Sequence, residues 1–322
     1  MTLTRRRVLA AAGAGASLAL PAWAQSGFPA RPVRMIVNFP PGGSPDIIGR
    51  AVAAPLSQYL GQQVVVENRS GASGLIGADA VAKAAPDGYT LLLSSGSAMS
   101  IVPHIQRMPF DINDLIPVAP GARLEVFLVT RGDLPVNNIQ EFLRYLRANP
   151  GKLSYASPGN GSSPHIAGEM MKSQANVFAV HIPYRGSAAV VQDMLAGRID
   201  FSFDPGTAFP HVRSGRLKLL AVGAAKRSAL FPDTPTLAES GLPGFDAGTT
   251  HGFWYPARTP APIVERMNRE INRAMAEKSV IDAIRNLGAE PTPLPPDQFG
   301  KVIDADSQRY VKIIKERRIT AE

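Results

Sequence analysis

The chain has 322 residues, a formal net charge of +8, 45% hydrophobic residues and no cysteine. The missing cysteine excludes disulfides, thiolate metal sites and a cysteine nucleophile. The length is enough for a full core, which at about 300 residues commonly splits into two lobes. The basic excess is scattered, with no lysine- or arginine-rich block, and so does not point to nucleic acid.

The chain opens on Arg5-Arg6-Arg7, an apolar run from Val8 to Leu20, and Ala22-Trp23-Ala24, a small-x-small cleavage pattern. Thr4-Arg5-Arg6-Arg7-Val8-Leu9 has the form of a twin-arginine signal. The run is short for a permanent anchor. Residues 1–24 are therefore expected to be an export signal cut after Ala24, leaving the mature chain soluble in the periplasm. Removing them takes away three arginines and no acid, which lowers the formal charge from +8 to +5. That modest excess suits acidic small molecules.

Val33 to Phe39 is a β-branched, apolar run of strand length. It stops at Pro40-Pro41-Gly42-Gly43, where prolines cannot extend a ladder and glycines adopt positive φ. Ser44-Pro45-Asp46 predicts a helix start, with Ser44 at N-cap, Pro45 at N1 and Asp46 in the first turn. Apolar residues then recur at helical spacing as far as Leu60, with Gly61 as the stop and Pro55 as an expected kink. A strand, a glycine turn and a helix N-terminus gather unpaired N–H groups around one concave spot, which favours a carboxylate or phosphate. The same sequence also describes an ordinary capped turn.

The pattern recurs. Val64 to Asn68 is a strand that ends in Arg69-Ser70-Gly71-Ala72-Ser73-Gly74, before a helix from about Leu75 to Ala85. Tyr89 to Leu93 is a buried strand that runs into Ser94-Ser95-Gly96-Ser97. Leu124 to Thr130 reads as a strand and Ile139 to Asn149 as a helix. Leu153 to Ala156 enters the loop Ser157 to Pro164, followed by a helix from His165 to about Ser173. Val177 to Pro183, Ile199 to Phe203 and Leu217 to Val222 are further strands, with a helix from Ala188 to Ala196. Pro232 to Gly244 is a long connection, and from Pro262 to Ile319 the chain is mostly helical. This alternation predicts an α/β fold with largely parallel sheets, whose ligands collect beyond the carboxyl ends of the strands.

The candidate residues follow from those loops. Pro41, Gly42, Gly43 and Ser44 surround the first anion spot, and Asp46 either meets a polar ligand group or favours the helix dipole. Ser94, Ser95 and Ser97 are expected at a cleft or in a polar loop. Gly161, Ser162, Ser163 and His165 repeat the opening logic, with His165 either touching ligand or bonding its own loop. Tyr184, Arg185 and Asp204 stand at strand ends, and Arg185 has the chemistry to pair with a carboxylate. His104, His181 and His211 lack metal-ligand spacing and read as structural, and no metal or cofactor is expected. There is no G-x-S-x-G elbow, no H-E-x-x-H and no phosphate loop. A dispersed hydrolase triad remains as the enzyme alternative, separable by turnover of carboxylic esters.

From Phe39-Pro40-Pro41-Gly42-Gly43 onward the chain resembles the Bug family, the periplasmic solute-binding receptors of tripartite tricarboxylate transporters. The resemblance rests on Glu67-Asn68-Arg69, Pro86-Asp87-Gly88-Tyr89-Thr90-Leu91, Gly159-Asn160-Gly161-Ser162, Pro183-Tyr184-Arg185-Gly186, Pro232-Asp233-Thr234-Pro235-Thr236-Leu237-Ala238-Glu239-Ser240-Gly241 and Pro256-Ala257-Arg258-Thr259-Pro260. These motifs occur in family order and span nearly all of the mature chain. The resemblance implies a two-lobed periplasmic-binding-protein fold of type II character, with a small organic carboxylate held in the cleft mainly by backbone groups, hydroxyls and waters. It also implies delivery to membrane transporter subunits; a separate reading is a sensory partner that hands its ligand state to a membrane kinase, differing from transport only in what docks on the closed form.

The expected division is 25–124 with 249–322 as lobe 1 and 125–248 as lobe 2, in a monomeric, non-enzymatic receptor. In one place the chain departs from the family. Relatives usually carry a tryptophan before the glycine matching Gly252, whereas Thr250 and His251 stand here, followed by Phe253-Trp254-Tyr255. If this stretch is a strand, His251 shares a face with Phe253 and Tyr255. That face would suit a dicarboxylate or an aromatic acid, unless it is buried between the lobe and the tail helices.

Overall fold

The computed structural model describes residues 27–320; the export signal expected over 1–24 lies outside them. Val33, Met35, Ile36 and Val37 are fully buried in β1 (Val33–Val37), as a β-branched run sandwiched by helices must be. β1 is flanked in parallel by β2 (Val64–Asn68) and β3 (Thr90–Ser94). The helices between these strands are α1 (Ser44–Leu60) and α2 (Leu75–Ala82), and α1 runs unbroken through Pro55. A short α3 (Gly96–Ser100) follows β3. β4 (Leu115–Leu124) escapes the sequence reading because Pro117, Pro120 and Gly121 interrupt its apolar pattern.

The chain then crosses to a second sheet. That sheet holds β5 (Phe127–Arg131), β6 (Ser154–Ser157), β7 (Val180–Pro183), β8 (Phe201–Asp204) and β9 (Leu217–Val222), in the order β7-β6-β8-β5-β9. Its helices are α4 (Ile139–Ala148), α5 (Ser163–Ala175), α6 (Ser187–Leu195) and α7 (Phe209–Arg213). In α4 the apolar residues Ile139, Phe142, Leu143 and Leu146 are buried, and the Asn138 side chain caps the helix by accepting from the Glu141 N–H at 2.9 Å.

The chain returns through β10 (Thr249–Pro256), which is wholly buried, into α8 (Ala261–Met275), α9 (Lys278–Arg285), β11 (Glu290–Pro291) and α10 (Pro296–Arg317). The first sheet has the order β11-β4-β10-β3-β1-β2. Both sheets are mixed rather than largely parallel, because the connecting strands β10 and β5 run antiparallel to their neighbours.

Each sheet has its own apolar core, and α10 serves both. Its Phe299 packs on Trp254 in the first, with ring centroids 5.1 Å apart, while Tyr310 and Ile314 join the second. Where the chain crosses between sheets, Arg123 at the end of β4 pairs with Glu125 (3.1 Å), Asp246 (2.8 Å) and Asp306 of α10 (3.2 Å). One cation thus ties both crossing segments to the last helix.

Candidate functional site

The loops that leave β1, β3, β6, β7 and β8 converge between the two sheets. Each of four loops leads directly into a helix, and the first residues of those helices line one small chamber. They are Gly43, Ser44 and Pro45 at α1, Ser95 and Ser97 at α3, Ser162, Ser163 and Pro164 at α5, and Gly186 and Ser187 at α6. Phe39, Pro40, Pro158, Pro205 and His251 complete the wall, so no carboxylate, ammonium or guanidinium side chain faces it. First-turn N–H groups lack partners within their helix and carry the positive end of its dipole, so this chamber favours an anion without a charged side chain. It measures about 30 Å³, which is room for a head group rather than a whole organic acid.

The chamber shares Phe39, Pro40, Pro158 and Gly186 with an outer chamber of about 570 Å³. That space is walled by residues 70–74, Ile76, Gln106, Gly159, Asn160 and residues 183–186. The one charged side chain on its wall is Arg185, which is exposed and makes no ion pair among the described residues. The two sides touch across the cleft: Ser73 donates its hydroxyl to the Asn160 carbonyl, and a Cβ on Gly186 would lie 3.0 Å from Pro40 Cγ. Gly186, at φ +98°, is therefore needed both for its turn and for this close approach.

His251 is held from two directions. The Gly96 N–H donates to its Nδ1 (3.3 Å), and its Nε2 meets Ser44 Oγ (3.1 Å). With Nδ1 accepting, the neutral ring carries its proton on Nε2 and donates to Ser44. Burial pushes the imidazole down to about 3, so it stays neutral. Gly96 permits this contact, because a Cβ there would sit 2.5 Å from the Thr250 carbonyl.

The structure sorts the sequence candidates. Gly43, Ser44, Ser95, Ser97, Ser162, Ser163 and His251 line the inner chamber, and Tyr184 lines the outer one, with its phenol donating to Asp193 (2.6 Å). Pro41 and Gly42 form the turn behind them, and the Gly42 N–H donates to Asp46 (3.0 Å). The remaining candidates support the site rather than line it. Asp46 turns away to Arg50 and Asn68; burial works upward on its carboxyl, yet these bonds and the Gly42 N–H hold it below the usual range. Ser94 bonds Asn38 (2.8 Å).

Gly161 donates its N–H to His165 Nδ1 (3.1 Å), and that ring stacks on His181, so His165 braces its own loop. Asp204 accepts from Thr207 and Ala208, and burial raises its carboxyl. Thr250 bonds Asp306 in α10. The N-cap of α1 is Gly43 in extended backbone, not Ser44, whose hydroxyl goes to His251 instead. Phe253 and Tyr255 lie in the first core and Trp254 packs on Phe299, so no ring of this run faces the chamber. The register shift between His251 and Gly252 lies on β4, which skips Gly121, so β10 keeps its alternation: His251, Phe253 and Tyr255 share the face toward α1, with His251 at the chamber and the two rings deeper in the core. Ser187 escapes the sequence reading, although Gly186-Ser187 repeats the Gly43-Ser44 signal before a helix.

A larger cavity, about 840 Å³, lies against Arg123, Glu125 and Asp246 of the crossing segments and Asp306 and Arg309 of α10. Its floor is an ion network that pairs mostly with itself, and the rest of its wall is mostly loop, residues 224–230 and 288–290, with no helix among the described residues starting at it, so it lacks the convergent donors of the smaller chamber. Among the described residues no acidic or histidine cluster fits a metal ion, and no helix is long and apolar enough to cross a membrane.

The model of the tripartite tricarboxylate transporter family receptor matches residues 48–319. The chain belongs to this family. Protein BugT of Bordetella pertussis is 39% identical over 320 residues, covering 96% of this chain and 97% of BugT. Among solved structures, a Rhodopseudomonas palustris protein with adipate is 32% identical with a TM-score of 0.88, covering 91% of this chain and 99% of that one. MatC from the same organism, with bound malate, is 29% identical with a TM-score of 0.84, covering 89% of this chain and all of that one. The two sheets are thus the two lobes of a periplasmic-binding-protein fold, and the chain is a solute-binding receptor of this transporter family.

Proposed function

We propose that this receptor captures a small organic carboxylate in the cleft and delivers it from the periplasm to the membrane subunits of a tripartite tricarboxylate-type transporter. The observation that carries the reading is the convergence of helix N-termini from both lobes on one chamber without charged side chains. The carboxylate ligands of the two R. palustris relatives support it. The lobes divide at 124/125 and 248/249, with α10 running from the first onto the second, and the chain works as a monomer after loss of residues 1–24.

The acid's head group sits in the inner chamber and its body in the outer one. A second carboxylate would face Arg185, which favours a dicarboxylate over an aromatic acid. The protein is a binder rather than a hydrolase: among the described residues the one serine hydroxyl–imidazole contact at the chamber, Ser44 with His251, has the imidazole as donor, so it does not serve as a base toward the serine.

The test is a thermal-shift screen of residues 25–322 against mono- and dicarboxylates, followed by small-angle scattering. A ligand at a hundred times its Kd adds ~2.7 kcal/mol of stability, and closure lowers the radius of gyration. Stabilisation by no carboxylate, or turnover of an ester, overturns the reading.

A further inference from the structure

The hydrogen-bond polarity around Ser44 constrains what the inner chamber accepts. A serine hydroxyl has one proton and two lone pairs, and its direction is ordinarily free. Here His251 Nε2 lies 3.1 Å from Ser44 Oγ, and the opposite ring nitrogen receives the Gly96 N–H. Moving the ring proton to Nδ1 would set two donors face to face at Gly96 in a place where both side chains are buried, Ser44 at 3% exposure and His251 at 4%. The ring is therefore locked as a donor toward Ser44, one lone pair of the hydroxyl is taken, and its proton is left for whatever enters the chamber.

Ser163 and Ser187 stand across from it with no hydrogen bond to their hydroxyls among the described residues, beside the first-turn N–H groups of α5 and α6. No side-chain carboxylate or amide oxygen lines the space. A group with two acceptor oxygens takes the Ser44 proton and the first-turn N–H groups together, whereas a primary amide offers one oxygen and can place its NH2 only against hydroxyl lone pairs, never against the Ser44 proton or an N–H.

We propose that His251 is a positioning residue that makes the inner chamber select a carboxylate over its amide, acting through the hydroxyl of Ser44. This rests on the carboxylate reading above and adds the residue that enforces it. His251→Gln keeps the device, because an amide oxygen can accept from Gly96 while its NH2 donates to Ser44. His251→Ala frees the hydroxyl to turn either way. His251→Glu reverses it, because a carboxylate accepts the Ser44 proton and leaves a lone pair facing the ligand.

The experiment uses the mature chain with, as probe, the tightest binder among the straight-chain C4 to C8 dicarboxylates and benzoate, and the same molecule with every carboxylate converted to a primary amide. Affinities of both forms are measured by calorimetry and competition for wild type, His251→Gln, His251→Ala and His251→Glu, each with and without Ser44→Ala. The expected result is an acid-to-amide preference of a hundredfold or more in wild type and His251→Gln. The preference falls at least tenfold in His251→Ala, and the acid fails to bind to His251→Glu. In the Ser44→Ala background, His251→Ala makes no further difference to the preference.

Nitrogen-15 spectra of histidine-labelled protein without ligand are expected to show a protonated Nε2 and a bare Nδ1 for His251, which holds whether or not the variants fold well. A protonated Nδ1, an unchanged preference in His251→Ala, or an equal loss in the Ser44→Ala background overturns the inference while leaving carboxylate binding in place. Failure of wild type to bind any of the acids overturns the carboxylate reading and this inference with it.

Discussion

Ser162 and Ser187 look alike in the sequence, each a serine at the start of a helix beside glycine, yet the structure gives them different tasks. The Ser162 hydroxyl donates to the Gly159 carbonyl (2.6 Å) and accepts from the His165 N–H (3.4 Å), so both of its functions are spent inside its own loop. Ser187 follows an N-cap glycine, caps nothing, and presents its hydroxyl to the inner chamber. Ser187→Ala therefore removes one hydrogen bond to an ionised acceptor, worth about 1.5–3 kcal/mol, and should weaken carboxylate binding by roughly 10- to 150-fold. Its effect on stability should stay within about 0.5 kcal/mol. Ser162→Ala loses a helix cap, about 1 kcal/mol, and should lower the melting temperature by about 2–3 °C while Kd changes by less than about threefold. Calorimetry and thermal melts on both variants decide it. An unchanged Kd for Ser187→Ala, or a larger loss of binding in Ser162→Ala, would refute the division between ligand donor and cap.

Gly43→Val should abolish binding in calorimetry with the fold retained, because a Cβ at Gly43 meets nothing closer than the Pro40 carbonyl at 3.5 Å while a branched side chain there enters the chamber. Arg185→Ala should weaken dicarboxylates by about two- to fivefold, the worth of one exposed ion pair at about 0.5–1 kcal/mol, and leave monocarboxylates unchanged; equal losses on both would remove its role. Stability should fall as pH drops from 6.5 toward 4. Burial holds His165 at about 4 and His181 and His251 at about 3, so the unfolded chain binds more protons in that window, and each histidine contributes up to about 1.4 kcal/mol per pH unit. Melts from pH 7 to 4 check this, and His181→Gln should flatten the slope.

The sequence by itself determined the loops. Proline cannot continue a ladder and glycine relieves positive φ, so Pro40 to Gly43 and Ser157 to Pro164 had to end strands and open helices wherever they lay in space. Apolar runs and turn chemistry are local properties, and the α/β class follows from them. Only the tertiary structure decided which of those loops meet. The chain brings Ser44 and His251, 207 residues apart, to 3.1 Å, and no local pattern encodes that distance. The same holds for side-chain direction. Asp46, His165 and Asp204 have ligand-binding chemistry, but each was claimed by neighbours that satisfy a buried polar group, whereas Ser187 was left free because Gly186 already supplied the helix start. Strand β4 was hidden because its prolines and glycine erase the apolar pattern, whereas β10 kept the two-residue period, and only the packing of α1 decided that His251 meets the chamber while Phe253 and Tyr255 are buried in the core. Hydrogen-bond capacity is written residue by residue in the chain; who consumes it is settled only when the lobes pack.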